Sequence, residues 1–239
     1  MAVEAAKAHV FVEDVSQPEL APADRHHLER VLRLHPGDEI TVCDGVGSWR
    51  VCRLGAAERL DFAGEVCWEA RPDPPVAVAF ALIKGERPEW TVQKLTEVGV
   101  DHMIPFVADR SVVRWDPAKM ATQSERFRRI AREAASQCRR AWLPLVENVV
   151  RFEHAAALPR AALAEAGGQP PSLEHPLLLT GPEGGWSERE LATAAGLPRV
   201  ALGPHIMRAE TAAVAAGTLL CALRAGVVAP ARPSDRQTS

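Results

Sequence analysis

Leu177-Leu178-Leu179-Thr180-Gly181-Pro182-Glu183-Gly184-Gly185 is an apolar run that ends in a glycine-containing loop. Val200-Ala201-Leu202-Gly203-Pro204-His205-Ile206-Met207-Arg208-Ala209-Glu210-Thr211-Ala212 repeats the arrangement and leads into an alanine-rich stretch. Short apolar runs without alternation suit strands buried on both faces of a parallel sheet. Ligands in such sheets sit at the carboxyl ends of the strands, where these two loops emerge. Glycine there lets the backbone approach a ligand closely and adopt positive φ. The stretch from Ala209 to Leu223 predicts a helix, and Ala212, Ala213, Ala215, Ala216 and Gly217 suit close packing against the sheet.

Working outward, Val76 to Ile83 is another continuous apolar run and predicts a buried strand. A helix is expected from about Glu86 to Val98, stopped by Gly99. Ile104 to Val107 predicts the next strand, and Ser124 to Cys138 a helix rich in arginine. Strand alternating with helix is the pattern of an α/β sheet. Upstream, Arg71-Pro72-Asp73-Pro74-Pro75 stacks prolines and marks a domain boundary. Residues 1–72 read as β-rich. Glu39–Asp44 and Trp49–Leu54 alternate about Gly45-Val46-Gly47, a hairpin signature, and Arg59 to Trp68 supplies a further strand. Asp24 is placed to cap a short helix through Leu34 that buries Leu28, Val31 and Leu32, with a turn at Pro36-Gly37-Asp38. The expected division is 1–72, 73–229 and a polar, disordered tail at 230–239.

A chain of 239 residues with 47% hydrophobic content can bury a sizeable core. No apolar run approaches the roughly 18 residues that span a membrane, and Met1–Val12 lacks the apolar core of a signal peptide. Five scattered cysteines contain no C-x-x-C pair, which points away from zinc and disulfides and toward a reducing cytoplasm. Net charge of −3 argues against nucleic-acid binding by the whole surface. Between Arg110 and Arg140, however, nine basic residues face only Asp116, Glu125 and Glu133, a local balance of +6. Such a patch suits a phosphate backbone, and it also suits a solvated helical face. Neither a G-x-G-x-x-G nor a G-x-x-x-x-G-K-[ST] signature is present.

The two loops, Gly181-Pro182-Glu183-Gly184-Gly185 and Leu202–Ala212, resemble the RsmE family of bacterial ribosomal RNA methyltransferases, within the SPOUT superfamily. The resemblance runs through His26-His27-Leu28, Val31-Leu32-Arg33, Gly37-Asp38, Lys84-Gly85, Lys94, Glu97–Val100, Pro105, Arg110–Val112, Glu133–Ala135, Gln137, Arg140 and Pro144. His205 stands where the family commonly has Arg, Met207 where it has Leu and Ala209 where it has Thr. The resemblance implies an N-terminal PUA-like β-barrel and a C-terminal α/β domain with a deep trefoil knot. It implies S-adenosyl-L-methionine as cofactor, a homodimer, and methylation of N3 of a uridine in the decoding region of 16S ribosomal RNA. Its partners would be 16S rRNA or the small ribosomal subunit, with neither membrane nor metal.

Methyl transfer requires donor and acceptor to be held in line. Main-chain groups of two glycine loops can hold such a donor, so Leu179, Thr180, Gly181, Glu183, Gly184, Leu202, Gly203, Ile206, Met207, Arg208, Thr211 and Ala212 are the expected cofactor residues. The uridine N3 must lose a proton, and a cation beside the base would stabilise the anion. Arg208 is the candidate, with a salt bridge to Glu210 as its structural alternative, and Glu183 or Glu210 is the expected proton acceptor. His26, Arg30, Arg33, Arg110, Arg128, Arg129, Arg132, Gln137 and Arg140 are the expected RNA contacts. Cys138 would serve as a nucleophile in C5 methylation of a pyrimidine; a small buried hydrophobe is its plainer reading. The other readings are a methyltransferase of the same fold for another rRNA or tRNA nucleotide, and a non-catalytic RNA-binding assembly factor.

Overall fold

The computed structural model describes residues 6–55 and 59–229. The expected disordered tail at 230–239 lies outside the described residues. The chain divides into two compact units, Met1–Arg71 with Arg132–Leu143, and Pro72–Ala131 with Pro144–Ser239.

The first unit holds β1 (Ala8–Phe11), β2 (Glu39–Cys43), β3 (Ser48–Leu54), β4 (Leu60–Phe62) and β5 (Cys67–Trp68). They form a five-stranded sheet in the order β1-β2-β3-β4, with β5 also pairing β3. β2 and β3 make the expected antiparallel hairpin. Its alternation sends Ile40, Val42 and Cys52 inward, each fully buried. The stretch after Arg59 makes two short strands instead of one, both against β3.

The short helix differs from expectation. It runs Pro22–His26 (α1), with Ala21 at its N-cap and Asp24 inside its first turn, and continues as one π turn, His27–Val31. The Leu32 N–H donates to the His27 carbonyl five residues back, and Arg33 follows at φ 53°. The widened turn shifts the helical register. Leu28 stays buried, while Val31 and Leu32 are 61% and 43% exposed.

Residues 132–143 join this unit with no composition shift to announce them. They comprise the end of α3 (Pro117–Gln137) and the turn after it. Ala135 and Ala141 share a core with Phe11 and Cys43. Arg132 Nη2 donates to the Phe11 carbonyl at 2.9 Å, and Arg139 Nη2 to the Ala6 carbonyl at 2.6 Å. Nearby, His9 is buried with its Nδ1 2.7 Å from Thr41 Oγ1 and its ring edge-on to Phe11. Burial, which disfavours the charged imidazolium, pulls the His9 pKa down to about 4.

The second unit is the expected α/β sheet. Its elements are β6 (Ala77–Ala81), α2 (Arg87–Glu97), β7 (His102–Val107), most of α3, β8 (Leu145–Val146), β9 (Val150–Arg151) and α4 (Phe152–Ala156), then β10 (Ala161–Gln169), β11 (Leu177–Thr180), α5 (Glu188–Thr193), β12 (Arg199–Val200) and α6 (Ala209–Arg224). The seven strands run β12-β10-β11-β6-β7-β8, with β9 beside β7. All these pairings are parallel. Both faces are covered, because successive side chains of a strand point to opposite sides. Val78 and Phe80 enter one core with residues of α2, α3 and α6, while Ala77, Ala79 and Ala81 enter the other with residues of α4. β12 stops at Val200, the first residue of the run expected to form it. β11 and β12 follow one another among the strands but are not neighbours in the sheet; β10 lies between them. α6 meets α2 at Gly217, where a Cβ would come within 2.7 Å of Val100 Cγ2 and 2.8 Å of Leu95 Cδ2.

Two measurements check this packing. Gly217→Ala should destabilise the protein by ~1–3 kcal/mol in urea unfolding through overpacking, despite alanine's better helix propensity; unchanged stability would mean that α2 and α6 are looser than described. His9 titrates near 6.5 unfolded and near 4 folded, so the unfolded state binds the extra proton between those values. Stability should be fully present above pH 6.5 and fall through that window, by about 3 kcal/mol in all. His9→Gln should flatten that part of the stability–pH curve.

Candidate active site

The loop after β11, the loop after β12 and the middle of β10 enclose a cavity of about 400 Å³, within the usual range for small-molecule sites. Of the residues expected to hold a cofactor, Thr180, Gly181, Glu183, Leu202, Gly203, Ile206, Met207 and Ala212 line it. Leu179 does not; it is fully buried in the core. Gly184, Arg208 and Thr211 are also absent from the lining. Glu165, Trp186 and His205 line it without having been expected. Trp186 is stacked on Phe106, and its Nε1 donates to the Ala164 carbonyl at 3.3 Å. Two glycines keep the cavity open. A Cβ on Gly181 would lie 3.1 Å from the Trp186 ring, and one on Gly203 would lie 2.9 Å from Met207 Cε.

The first loop is anchored at its exit. Ser187 and Glu190 form a reciprocal capping box at the start of α5. Glu190 is buried, and its Oε1 accepts from the Asp109 amide at 3.0 Å. Asp109 in turn accepts from Ser187 Oγ at 2.6 Å and pairs with Arg189, which also pairs with Glu153. The Arg189 guanidinium, followed by the Ser187 hydroxyl, holds the Asp109 carboxyl down at about 2. Arg110 fixes the loop's middle, its Nη1 donating to the Gly184 carbonyl at 3.0 Å.

Both candidate proton acceptors face one cation that sequence reasoning missed. Arg87, in the first turn of α2, donates from Nη1 to Glu183 Oε1 at 2.9 Å and has Nε 3.8 Å from Glu210 Oε1. Glu210 Oε2 is buried without a hydrogen-bond partner. The alternative salt bridge between Arg208 and Glu210 does not form. Arg208 is exposed at the N-cap of α6 and makes no side-chain hydrogen bond or ion pair among the described residues. A signal for Arg87 existed. Lys84-Gly85-Glu86-Arg87 leaves the apolar run of β6 at its carboxyl end, where the rule for ligand position applies equally.

The expected RNA contacts are divided between the two units. His26, Arg30 and Arg33 are exposed on the first unit, as is Gln137, and Arg140 is half-buried. The basic stretch is divided, with residues up to 131 in the second unit and the rest in the first. Several of its arginines already have partners. Arg128 binds Glu125, Asn148 and the Val146 carbonyl; Arg126 binds Glu89. Arg110 and Arg132 hold the Gly184 and Phe11 carbonyls, and Arg129 is exposed. Cys138 is half-buried, with Sγ 3.9 Å from the Ala135 carbonyl.

Residues 71–221 match the family model of an RNA methyltransferase domain, and residues 20–67 that of an RNA methyltransferase PUA domain. The ribosomal RNA small subunit methyltransferase E of Mycobacterium bovis is 37% identical over 213 residues, covering 80% of this chain and 80% of its own length. The chain belongs to the ribosomal RNA small subunit methyltransferase E family. The family member of Bacillus subtilis is 34% identical over 211 residues, covering 78% of this chain and 82% of its own. Among solved structures, a family member from Neisseria gonorrhoeae bound to S-adenosyl methionine is similar with a TM-score of 0.74 at 26% identity, covering 90% of this chain and 97% of that one.

If Arg87 holds the two carboxylates, Arg87→Ala should speed amide hydrogen exchange across 181–187 several-fold. A half-exposed ion pair contributes little to global stability, so the unfolding free energy should move by less than about 1 kcal/mol. Unaltered exchange in that loop would show that the clamp constrains nothing.

Proposed function

We propose that this chain is an S-adenosyl-L-methionine-dependent methyltransferase that modifies N3 of a uridine in the decoding region of 16S ribosomal RNA. The observation that carries the reading is the two-loop cavity of about 400 Å³ in a chain of this family. Its residues fit the cofactor. Leu202, Met207, Trp186 and Leu191 offer apolar surface for a flat base, while Gly181 and Gly203 leave room that any side chain would fill. When bound, the cofactor supplies a methyl group on an activated sulfonium.

The protein's own part is electrostatic. Arg208 lies beside the cavity-lining Met207 and Ala209 with its guanidinium uncommitted. It is free to stabilise a uridine that has lost its N3 proton. Glu210, near Arg87 on one oxygen and unpartnered on the other, and Glu183, which lines the cavity, are the two candidate proton acceptors. The departure at His205 puts a weaker base in place of a guanidinium at the cavity wall.

The remaining assignments belong to the same reading. Residues 1–72 act as a PUA-like, barrel-forming RNA-binding domain, 73–229 carry out methyl transfer, and the out-of-order strands of the second sheet are threaded as a trefoil knot. Exposed residues His26, Arg30 and Arg33 contact RNA together with Arg129, Gln137 and Arg140. Two copies associate in the cytoplasm; Ile206, fully exposed at the cavity wall, supports an occupant from outside the chain.

Arg208→Ala should lower the single-turnover methylation rate on the order of 100-fold, with S-adenosylhomocysteine affinity by calorimetry little changed. Raising pH should partly restore the rate, because more uridine ionises unaided. Parallel loss of thermal stability and ligand binding, without rescue at high pH, would make Arg208 structural.

A further inference from the structure

A second cavity, of about 480 Å³, opens beside the first, also at the carboxyl end of the sheet. Its walls are the loop after β6, the first turn of α2, the segment after β7 and the first turns of α3. Three cations line it, Lys84, Arg114 and Lys119, against a single acid, Glu89. That acid is already neutralised by Arg126 Nη2 at 2.7 Å. Lys84 makes no side-chain hydrogen bond or ion pair among the described residues. Arg114 spends only Nη1, on the Ser111 and Val113 carbonyls, and so presents the rest of its guanidinium. The indole of Trp115, half-buried and tilted against Phe127 with ring centres 6.5 Å apart, also lines the cavity, with Lys119 Nζ 5.8 Å from its ring centre. Gln123 adds an amide to the wall.

Three cations and an indole lining one cavity match a ligand that joins an anionic group to a flat base. Proteins that hold single-stranded nucleic acid use this combination, stacking the base and pairing the phosphate. The stretch from Lys84 to Glu89, the loop after β6 and the first turn of α2, also carries Arg87, whose guanidinium holds Glu183 on the first cavity. One short stretch of chain therefore serves both cavities.

We propose that the second cavity holds a nucleotide of the RNA neighbouring the target uridine, its phosphate on Lys84, Arg114 and Lys119 and its base on Trp115. The proposal rests on the reading of the chain as an RNA methyltransferase. Arg114 and Lys119 belong to the basic stretch that suits a phosphate backbone in the sequence, whereas Lys84 and Trp115 lie outside every RNA contact expected from it.

The test uses the full chain and a short single-stranded fragment of small-subunit ribosomal RNA, with affinity followed by fluorescence anisotropy across a salt series. Lys84→Ala combined with Lys119→Ala touches two exposed side chains and should leave folding intact. The expected result is RNA binding weaker by roughly tenfold or more, and a salt slope shallower by about one to two. S-adenosylhomocysteine binding by calorimetry should be unchanged. A double variant with wild-type RNA affinity and salt slope overturns the inference alone. A wild-type chain that binds S-adenosylhomocysteine but no RNA overturns the functional reading and this inference with it. Uridine 5′-monophosphate is the third arm: binding as tight as the RNA fragment's would make the cavity a free-nucleotide site and overturn the RNA assignment.

Discussion

The parallel registration of β11 between β6 and β10 is the constraint on which the rest of the site depends. Leu177 to Thr180 lies opposite Ala77 to Phe80 on one side, and Leu177 to Leu179 opposite Ala161 to Leu163 on the other. Parallel strands in register end at a common edge, so their loops must emerge together. The glycine loop after β11, the Arg87 loop after β6 and the Asp109 segment after β7 meet there for that reason. Burial on both faces makes the register hard to slip, since a one-residue shift would exchange the side chains of the two cores.

Within that frame, charge decides how the loops are held. Arg87 draws together Glu183 and Glu210 from two different loops. Arg189 and Ser187 tie the first loop's exit to Asp109. The arginines that look like a nucleic-acid patch in the sequence are partly consumed by the same work, with Arg110, Arg128 and Arg132 holding carbonyls of distant segments. What remains for RNA is a set of cations with uncommitted donors, Lys84 and Arg114 among them. A charge count along the chain therefore overstates the free positive surface, and burial of partners decides which side chains stay available.

Much of the fold was legible because it obeys local rules. The runs at Val76–Ile83 and Leu177–Thr180, the hairpin about Gly45 and the helices beginning near Arg87 and Ala209 all announce themselves by apolar pattern and glycine punctuation. β10 does not, since Ala161–Gln169 is rich in alanine and glycine, residues with poor strand propensity, and is held by its neighbours. The π turn at His27–Val31 leaves the hydrophobic pattern unchanged while moving Val31 and Leu32 to the surface. At the candidate site, the two glycine loops could be read from sequence, and eight of the twelve expected cofactor residues line the cavity. The Arg87 clamp could not, because it joins residues 96 positions apart. Likewise nothing local told which arginines would find carbonyl partners.

The most direct test of the whole account is chemical. Mass mapping of small-subunit ribosomal RNA should be run on a strain lacking this chain, and again after the chain is restored. The account predicts that one uridine in the decoding region loses an N3 methyl group in the first case and regains it in the second. Intact N3 methylation in the deletion strain, or a methyl lost from a different nucleotide, would contradict it.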